Sequence, residues 1–468
     1  MKKIENKKRI GASLKYLFIC LGFLALLILL ENLQSFIPRS SLPRVLLPTS
    51  QLFTVLKKGA VYSLVAVSMN LLNGFTGLFS LGQAGFMLLG AYTYAIFTVP
   101  VAQKDAVYYL FGGSAIKFSF QDMFGGLFGT SGAGGAISMV MGVLVAIILA
   151  GLVAAAFAYL IGVVVLRFKS DYLAIATLGF AEIIRAIFQW QPLGPVTNGA
   201  NMIKSFPTFS SFNITNANGS VVMRLSTVVP FIVGMLCIVF IILLIDSSYG
   251  RAFKAIREDE IAAEAMGINL AKHKRLSFCI SSFFAGVGGA LFAMYAANTQ
   301  AKVFTSTMTY EILLIVVIGG IGSISGSVLA TFLYVACSEW WLRFLDSNIR
   351  FASTTASGRI TFIVCFAIVV IGGAFLLIRK ERKKGSKVYK ELTVMLLALA
   401  LLGWLGYFIV SGSLVIPLLR NGFRMVMFSV IIMIVVLFFR RGMFGDKELP
   451  YYFNRLKGRL TKRKEAKG

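Results

Sequence analysis

The side chains that usually carry catalysis or bind metals are few and scattered among the 468 residues of this sequence. The only histidine, His273, lies among basic residues, a setting typical of a solvated helix face. The five cysteines fall in separate apolar runs with no C-x-x-C pair, which indicates small buried side chains. No G-x-x-x-x-G-K-[ST] phosphate-binding loop occurs. The sequence therefore predicts no catalytic residue, no metal site and no bound cofactor in this chain.

Two residues of opposite charge, Glu182 and Arg185, stand one helical turn apart inside an apolar run. Unpaired charges inside a membrane are costly and usually functional, but the i, i+3 spacing lets these two neutralise each other. We therefore predict an intramembrane ion pair with a structural role. Glu339 lies near the end of an apolar run, where we expect it to meet the membrane interface. Lys57 and Lys58 are expected to snorkel outward.

A charged stretch at 248–275 is too long to be a simple connection between the apolar runs on either side of it. Ile256, Ala263 and Gly267 recur along one side, as in a short amphipathic helix that ends at Gly267. A small-residue face bordered by charges fits a groove on a cytoplasmic partner. An ordinary surface helix is the alternative interpretation.

The composition indicates the class of protein in which these residues lie. Only 14% of the residues are charged, against about 25% in soluble proteins. So few charges cannot cover a water-soluble globule of this size, which excludes soluble enzymes and disordered proteins. The formal charge of +27 lies at the chain ends and between apolar runs, as expected for cytoplasmic loops and not for a nucleic-acid-binding patch. The basic tail at 455–467 is also suited to contact anionic membrane lipid.

Apolar runs of about 17 to 25 residues predict membrane spans. Their number predicts an all-α polytopic membrane protein, a bundle of about 10–12 transmembrane helices. The predicted segments are 16–30, 54–73, 81–99, 137–163, 172–190, 227–245, 276–296, a pair of short runs at 309–319 and 324–342, and then 358–378, 391–410 and 424–439.

The basic residues orient these spans. No small-x-small cleavage site precedes Glu31, so we predict a retained first helix with the N-terminus inside. Because each of the twelve segments crosses the membrane once, the connections alternate between the two sides. This alternation places both termini and most of the 46 Lys and Arg residues in the cytoplasm. Two long outer loops, 100–136 and 190–226, are large enough to form a docking surface.

Glycine-rich turns at 73–77 and 319–323 interrupt apolar sequence, one in each half of the chain. Non-helical backbone at membrane depth persists only where protein or a water-filled cavity satisfies its polar groups. Two such breaks predict inverted repeats with Gly-broken helices around a transport pathway. Helix-ending glycines at ordinary turns are the alternative.

The wording A-I-R-E-D-E-I-A-A-E-A-M-G-I at 255–268 resembles the coupling loop of ABC-transporter permeases, in particular the branched-chain amino acid subfamily of the LivM type. Further similar motifs follow in the same order along the chain, and the resemblance covers about 54–345 and 420–445. These motifs lie at 80–86, 90–92, 171–180, 182–185, 283–286, 319–323 and 441–445.

The resemblance divides the chain into four parts. Residues 1–53 hold the basic tail, the first transmembrane helix and an outer loop. The permease core, 54–345, contains the cytoplasmic coupling loop 246–275. Residues 346–419 have no counterpart in the family pattern and predict an inserted transmembrane hairpin, which preserves the orientation of the last helix and basic tail in 420–468.

The resemblance implies a subunit of a bacterial plasma (inner) membrane importer for leucine, isoleucine and valine. Its implied partners are a homologous second permease, two ABC ATP-binding subunits that hold ATP and Mg, and an extracytoplasmic substrate-binding protein. It assigns ATPase coupling to Arg257, Glu258, Glu260, Ala262, Ala263, Glu264 and Gly267. Independently of it, we predict that the translocation path is contacted by Gly82, Gln83, Thr177, Gly179, Thr197, Asn198 and Gly199.

Departures from the family pattern leave the cargo open. The general motif E-A-A-x-x-x-G would need Glu at Ile261, Gln83 stands where relatives usually carry His, and 197–203 lacks two expected glycines. Urea or another small amide or amino acid is therefore an alternative cargo. Two other classes remain: an ion-coupled carrier using Glu182 or Glu311 as its coupling carboxylate, and a non-transporting membrane scaffold.

Overall fold

The computed structural model describes residues 22, 24–32, 50–129, 132–166, 170–215 and 221–341. The chain divides into two compact units, Met1–Glu339 with Ile432–Gly468, and Trp340–Ile431. The predicted hairpin, the three predicted spans beyond residue 342 and the basic tail lie outside the described residues. Nearly everything reported below therefore belongs to the first unit.

Helices make up most of the described chain, and residues 24–32 are also helical. One small antiparallel hairpin, β1 (Ile214–Thr215) with β2 (Val221–Met223), pairs Ile214 with Met223 in the second outer loop. The helices are α1 (Ser50–Asn70), α2 (Gln83–Thr98), α3 (Val101–Val107), α4 (Phe120–Phe128), α5 (Gly132–Val165), α6 (Ser170–Gln189), α7 (Gly194–Thr197), α8 (Val228–Asp246), α9 (Ser248–Glu258), α10 (Glu260–Ala265), α11 (Leu270–Ala296), α12 (Ser306–Gly319) and α13 (Ile324–Ala336). Turns of π-helix, Leu71–Phe75 and Cys337–Trp341, extend α1 and α13.

Within the described residues, five helices are long and apolar enough to cross a membrane. The predicted fold class, an all-α polytopic membrane protein, is confirmed. The helices α12 and α13 are apolar but shorter, and a helix rises only about 1.5 Å per residue. Each of them alone is therefore too short for a full span. The five long segments are Gln51–Phe75, Gly134–Val165, Tyr172–Gln189, Val228–Asp246 and Leu270–Ala296.

The buried centre of the bundle is formed by α1, α2 and α11. One side of α5 packs on α2 and α11, and α13 and α8 pack against α1. Small residues let these helices approach closely. A Cβ atom on Gly90 of α2 would lie 2.0 Å from the carbonyl oxygen of Gly286 on α11. One on Gly289 would lie 2.0 Å from the carbonyl oxygen of Met87. Two of the motifs noted in the sequence, 90–92 and 283–286, thus meet at one helix crossing.

This crossing yields a first prediction. Replacing Gly90 by Ala should lower the free energy of unfolding by about 1–3 kcal/mol, the usual cost of overpacking. The obstructing atom, the carbonyl oxygen of Gly286, belongs to the backbone and cannot rotate away. Thermal unfolding in detergent would measure the loss. Gly126→Ala in α4 is the matched control, since nothing lies within 4 Å of its Cβ position. Equal unfolding temperatures for the two variants would contradict the crossing geometry.

Candidate functional site

The first glycine-rich break begins where α1 ends at Asn70. The chain continues through the π-helical turn and remains non-helical until α2 begins at Gln83. Thr76 Oγ1 hydrogen-bonds the carbonyl oxygen of Leu71 at 3.1 Å and lies 2.7 Å from Ser277 Oγ on α11. The Thr76 hydroxyl at this break is thus satisfied by protein, as a polar group beside non-helical backbone in a membrane requires.

The second glycine-rich break separates α12 from α13. The backbone at Gly322 has a φ of 92°, a left-handed conformation that favours glycine. The side chain of Ser323 caps α13 by accepting a hydrogen bond from the N–H of Gly326 at 3.1 Å. A Cβ atom on Gly319 would lie 2.6 Å from the backbone of Gly326. The two short helices therefore form a tight hairpin.

The two breaks are in contact through Asn70, the last residue of α1. Its Nδ2 donates to the carbonyl oxygen of Ser323 at 2.9 Å and to Ser327 Oγ at 2.8 Å. Its Oδ1 accepts from the N–H of Gly322 at 2.9 Å. Both predicted breaks are present, and residues 250 positions apart are joined. The inverted-repeat relation between the halves stays a prediction.

Three of the predicted pathway residues meet where α2 begins. The N–H of Leu81 donates to Thr177 Oγ1 at 3.0 Å, and Gly82 packs against the Thr177 backbone. Gln83 Nε2 donates to Ser68 Oγ at 2.7 Å. These three pathway residues are tied into a buried polar cluster.

The same cluster contacts the beginning of α12. The N–H of Ala84 donates to Thr309 Oγ1 at 3.2 Å, and the N–H of Ser306 donates to Glu182 Oε1 at 3.3 Å. The beginnings of two helices, α2 and α12, thus lie next to each other. We call this region the half-helix junction; its residues are Gly82, Gln83, Thr177, Glu182, Ser306 and Thr309.

The other four predicted pathway residues lie elsewhere. Gly179 faces outward from α6, with nothing within 4 Å of its Cβ position. Thr197, Asn198 and Gly199 lie in the second outer loop, where Thr197 Oγ1 donates to the carbonyl oxygen of Phe188 at 3.0 Å. Only Thr197 of these residues thus binds the outer end of α6, and none of the four joins the half-helix junction.

The two predicted outer loops are joined to each other. The hydroxyl of Tyr108 donates to the carbonyl oxygen of Val196 at 3.0 Å, and the N–H of Ala115 to that of Pro195 at 2.9 Å. The buried Lys104 amine donates to the carbonyl oxygens of two residues in the first loop. Desolvation lowers the pKa of Lys104, and the nearby Asp122 carboxylate opposes this change.

Glu182 and Arg185 form the ion pair that the sequence suggested. Arg185 Nε lies 2.7 Å and Nη2 2.5 Å from Glu182 Oε2. The side chains remain 35% and 30% exposed on a helix that otherwise shows an apolar face. Since the other carboxylate oxygen receives the Ser306 N–H, Glu182 also links α6 to α12.

The outer half of α1 corrects one expectation. Lys58 does not snorkel outward, because its Nζ lies 2.5 Å from Glu339 Oε1 across the contact between α1 and the end of α13. Both side chains are mostly buried. Lys57 Nζ donates to Ser226 Oγ at 2.5 Å. A charge inside a membrane is stabilised by such a partner.

The charged stretch forms two helices, α9 and α10, and the beginning of α11, which corrects the prediction of one short helix ending at Gly267. The first helix, α9, ends at Glu258, and Asp259 takes an extended conformation. Asp259 Oδ1 accepts hydrogen bonds from the N–H groups of Ile261 at 2.8 Å and Ala262 at 3.1 Å, so it caps the N-terminus of α10. Gly267 follows α10 with a φ of 84°.

Exposure within the charged stretch differs from the sequence expectation. Ala263 is only 4% exposed and Ile256 is buried, so these two side chains pack against the chain itself. The apolar side chains that face outward are Ile261, 82% exposed, and Met266, 84% exposed. Neither exposure was predicted from the sequence, although an apolar residue on the charged side of an amphipathic helix is a usable signal. The exposed residues among the predicted coupling set are Arg257, Glu258, Glu260, Ala262, Glu264 and Gly267.

The helix α9 contacts the first glycine-rich break directly. A Cβ atom on Gly77 would lie 3.3 Å from the Arg257 Cα. Lys254 Nζ lies 5.7 Å from the centre of the Phe75 ring. Lys274 Nζ on α11 lies 2.6 Å from Glu260 Oε2, and this ion pair holds α10 against α11. A surface helix and a break in the buried core are therefore in mechanical contact.

Glycine-broken helices around a partly buried polar junction, with a surface helix in contact with one break, are typical of a membrane permease. Comparison with known proteins identifies which one: the chain belongs to the family described as branched-chain amino acid transport system / permease component, which matches residues 51–371. This is a family of transport permeases, not of enzymes. The match ends inside 346–419.

Three curated relatives are similar to this chain. Two are high-affinity branched-chain amino acid transport system permease proteins LivM from Salmonella typhimurium and Escherichia coli, each 30% identical over 60% of this chain. The match spans 61% of the length of those relatives. The third, a probable branched-chain amino acid transport permease protein LivM from Methanocaldococcus jannaschii, is 25% identical over 59% of this chain and 76% of its own length. No solved structure matches the chain.

Proposed function

We propose that this chain is the transmembrane permease subunit of an ATP-driven importer, and that it moves leucine, isoleucine and valine across a bacterial plasma membrane. The observation that carries the proposal is the family match over residues 51–371. The named relatives, two of them 30% identical, support the same cargo class. The contact between α9 and the first glycine-rich break supports an energy source outside this chain, because a partner that moves α9 would also move the break.

The coupling surface in this proposal is the exposed side of α9 and α10. Ile261 and Met266 offer apolar contacts, and Arg257, Glu258, Glu260 and Glu264 surround them with charge. An apolar anchor with a polar rim is the usual composition of a docking site. ATP and Mg would be bound by two partner ATP-binding subunits that grip this surface.

The translocation path in this proposal runs by the half-helix junction. That region holds the polar groups at which the short helices α2 and α12 begin. Transporters place cargo sites at such discontinuous helices. In the described conformation Gln83 and Thr177 are buried, so we infer that this conformation is closed at the junction.

A homologous second permease would complete the path against the outward face of α6. Of the three spans that are mostly exposed, α6 has a markedly lower mean hydropathy than α5 or α8. It also carries the half-exposed Glu182–Arg185 pair. Since charges facing lipid are costly, this face is better suited to protein or water, and Gly179 leaves room there.

The joined outer loops would receive a substrate-binding protein from the extracytoplasmic side. This requires the orientation predicted from the basic residues, with both termini in the cytoplasm. Exposed apolar side chains on these loops, including Tyr109, Leu110 and Leu127, offer contacts for that protein. Membrane lipid would surround the apolar outer faces of α5 and α8.

The cargo can be tested by ATP hydrolysis in the reconstituted complex of this chain with its ATP-binding subunits, second permease and binding protein. We expect leucine, isoleucine and valine each to stimulate hydrolysis in the presence of the binding protein. Urea should have no effect, and glycine serves as the amino acid without a branched side chain. Stimulation by urea and not by leucine would contradict the proposed cargo.

The ion pair in α6 gives a further prediction. Glu182→Ala should lower the amount of protein in the membrane, because an unpaired arginine at membrane depth costs about 2.5–3.5 kcal/mol. The double variant Glu182→Gln with Arg185→Gln should restore both protein level and uptake, because a structural pair can be replaced by a neutral one. Immunoblots of membranes and leucine uptake would be compared. Restored protein without restored uptake would contradict a structural role.

A further inference from the structure

The amide of Asn70 occupies the point where the two glycine-rich breaks meet. We propose that Asn70 is a positioning residue that passes movement of the coupling surface to the α12–α13 hairpin. The inference rests on the proposed function, because it needs a partner that moves α9 and α10. It adds one residue with a specific role that neither the family match nor the relatives' names assign.

The side-chain amide of Asn70 makes four contacts with the turn between α12 and α13 and the first residues of α13. Its Nδ2 donates to the carbonyl oxygen of Ser323 and to Ser327 Oγ, with a longer contact of 3.4 Å to the carbonyl oxygen of Gly320. Its Oδ1 accepts the Gly322 N–H. Asn70 is fully buried, where unmade hydrogen bonds are expensive.

An amide suits this position because it donates and accepts at once. Aspartate could accept from Gly322 but could not donate to the carbonyl oxygens of Gly320 and Ser323. Alanine could do neither. The hairpin turn is therefore held to the end of α1 by a group that a shorter or a charged side chain cannot replace.

The other side of the connection leads from Asn70 to the coupling surface. The π-helical turn follows Asn70 directly, and its last residue, Phe75, lies under the Lys254 amine. Gly77 then packs against the Arg257 backbone. A displacement of α9 must therefore move this turn or break these contacts, since packed interiors deform little.

The turn between α12 and α13 is well placed to move when α9 is displaced. Neither α12 nor α13 is long enough to span alone, and α12 begins at the half-helix junction, where Thr309 binds the N-terminus of α2. Moving the turn would therefore move one side of the proposed path. The sequence of contacts runs from α9 through the first break and Asn70 to the second break.

A purely structural role for Asn70 makes a different prediction from a positioning role. If Asn70 only stabilises the fold, its replacement lowers uptake and ATP hydrolysis together. If Asn70 transmits movement, hydrolysis continues while less leucine moves for each ATP consumed. The ratio of leucine transported to ATP hydrolysed is the deciding readout.

Asn32 supplies a matched control. It is also a buried asparagine whose amide joins two distant segments, donating to the carbonyl oxygens of Ile28 and Arg224 at 2.9 and 3.0 Å and accepting from the Arg224 N–H at 2.7 Å. It joins the helical residues 24–32 to the second outer loop, away from the two breaks. Asn32→Ala should cost comparable stability without affecting the ratio.

The experiment uses the full chain reconstituted with its partner subunits and binding protein, with labelled leucine as the probe. We expect Asn70→Ala to lower the ratio about fivefold or more, the usual range for coupling between sites, and Asn32→Ala to leave it unchanged. Ser327→Ala removes one of the Asn70 contacts and should lower the ratio by less. This milder variant also provides the test if Asn70→Ala fails to accumulate.

Three results would overturn the inference. A ratio that stays at the wild-type value in both Asn70→Ala and Ser327→Ala would reduce Asn70 to a structural residue, while the proposed function would stand. An equal fall in the ratio for Asn32→Ala would show a general effect of destabilisation. If the wild-type complex moved no leucine with ATP, the proposed function itself would fail, and this inference with it.

Discussion

Replacing Ile261 or Met266 by Glu is expected to abolish ATP-driven uptake while the chain still inserts and accumulates. Both side chains are more than 80% exposed, so a charged replacement disturbs no packing within the chain. On the proposed docking surface each would bury an apolar contact, and a buried unpaired carboxylate in its place costs several kcal/mol. Leucine uptake into membrane vesicles, normalised to the protein level, would measure the effect.

The conservative variants Ile261→Leu and Met266→Leu are the matched controls, since they keep the apolar surface. They should retain most of the uptake. Charged variants at Ala263 or Gly267 are less informative, because Ala263 is buried and Gly267 has a left-handed backbone. Normal uptake by both glutamate variants would show that this surface docks no partner.

A methyl group at Gly74 is expected to eliminate transport. The Cβ atom of Gly74→Ala would lie 1.8 Å from Asn70 Oδ1 and 2.6 Å from the Gly322 nitrogen, two atoms that are hydrogen-bonded to each other. Neither can move without breaking the contact between the two glycine-rich breaks. We expect uptake near background together with a lower unfolding temperature in detergent.

Gly234→Ala in α8 is the control for this prediction, because its Cβ atom would meet only an ordinary contact at 3.5 Å, the carbonyl oxygen of Ala60. It should transport leucine like the wild type. If Gly74→Ala behaved like Gly234→Ala, the close contact between the breaks would not exist in the working protein.

The spans could be predicted from sequence because apolar length is a local property. The span predicted at 137–163 lies within α5, Gly132–Val165, and 227–245 nearly coincides with α8, Val228–Asp246. The start of α11 is at Leu270 and not at 276, because Asn269 caps a polar first turn that an apolar window does not register. Hydropathy locates the buried part of such a helix but not its polar end.

The contacts at the site could not be predicted from the sequence because they join residues that are far apart in the chain. Asn70 reads as one polar residue inside an apolar run, and nothing near it indicates a partner 250 positions later. Likewise, the spacing of Ile256, Ala263 and Gly267 suggested one face of a single helix, but it could not show the break at Asp259 or tell which of the three residues are buried. In the structure Ile256 and Ala263 are buried.

The helix break at Asp259 could have been predicted from local chemistry. An Asp that precedes a run of good helix formers is a common N-cap, and Asp259 caps α10 in this way. The amphipathic pattern continues across the break and hid it. Capping signals can therefore divide a segment that hydrophobic periodicity alone would leave whole.

Uptake of labelled leucine into proteoliposomes tests the central claim most directly. The vesicles would hold this chain with its ATP-binding subunits and second permease, and the binding protein would be added outside. We predict leucine accumulation that requires both internal ATP and the binding protein and that does not respond to an imposed sodium or proton gradient. Accumulation driven by a gradient without ATP would contradict the account and would make Glu182 and Glu311 the residues to study.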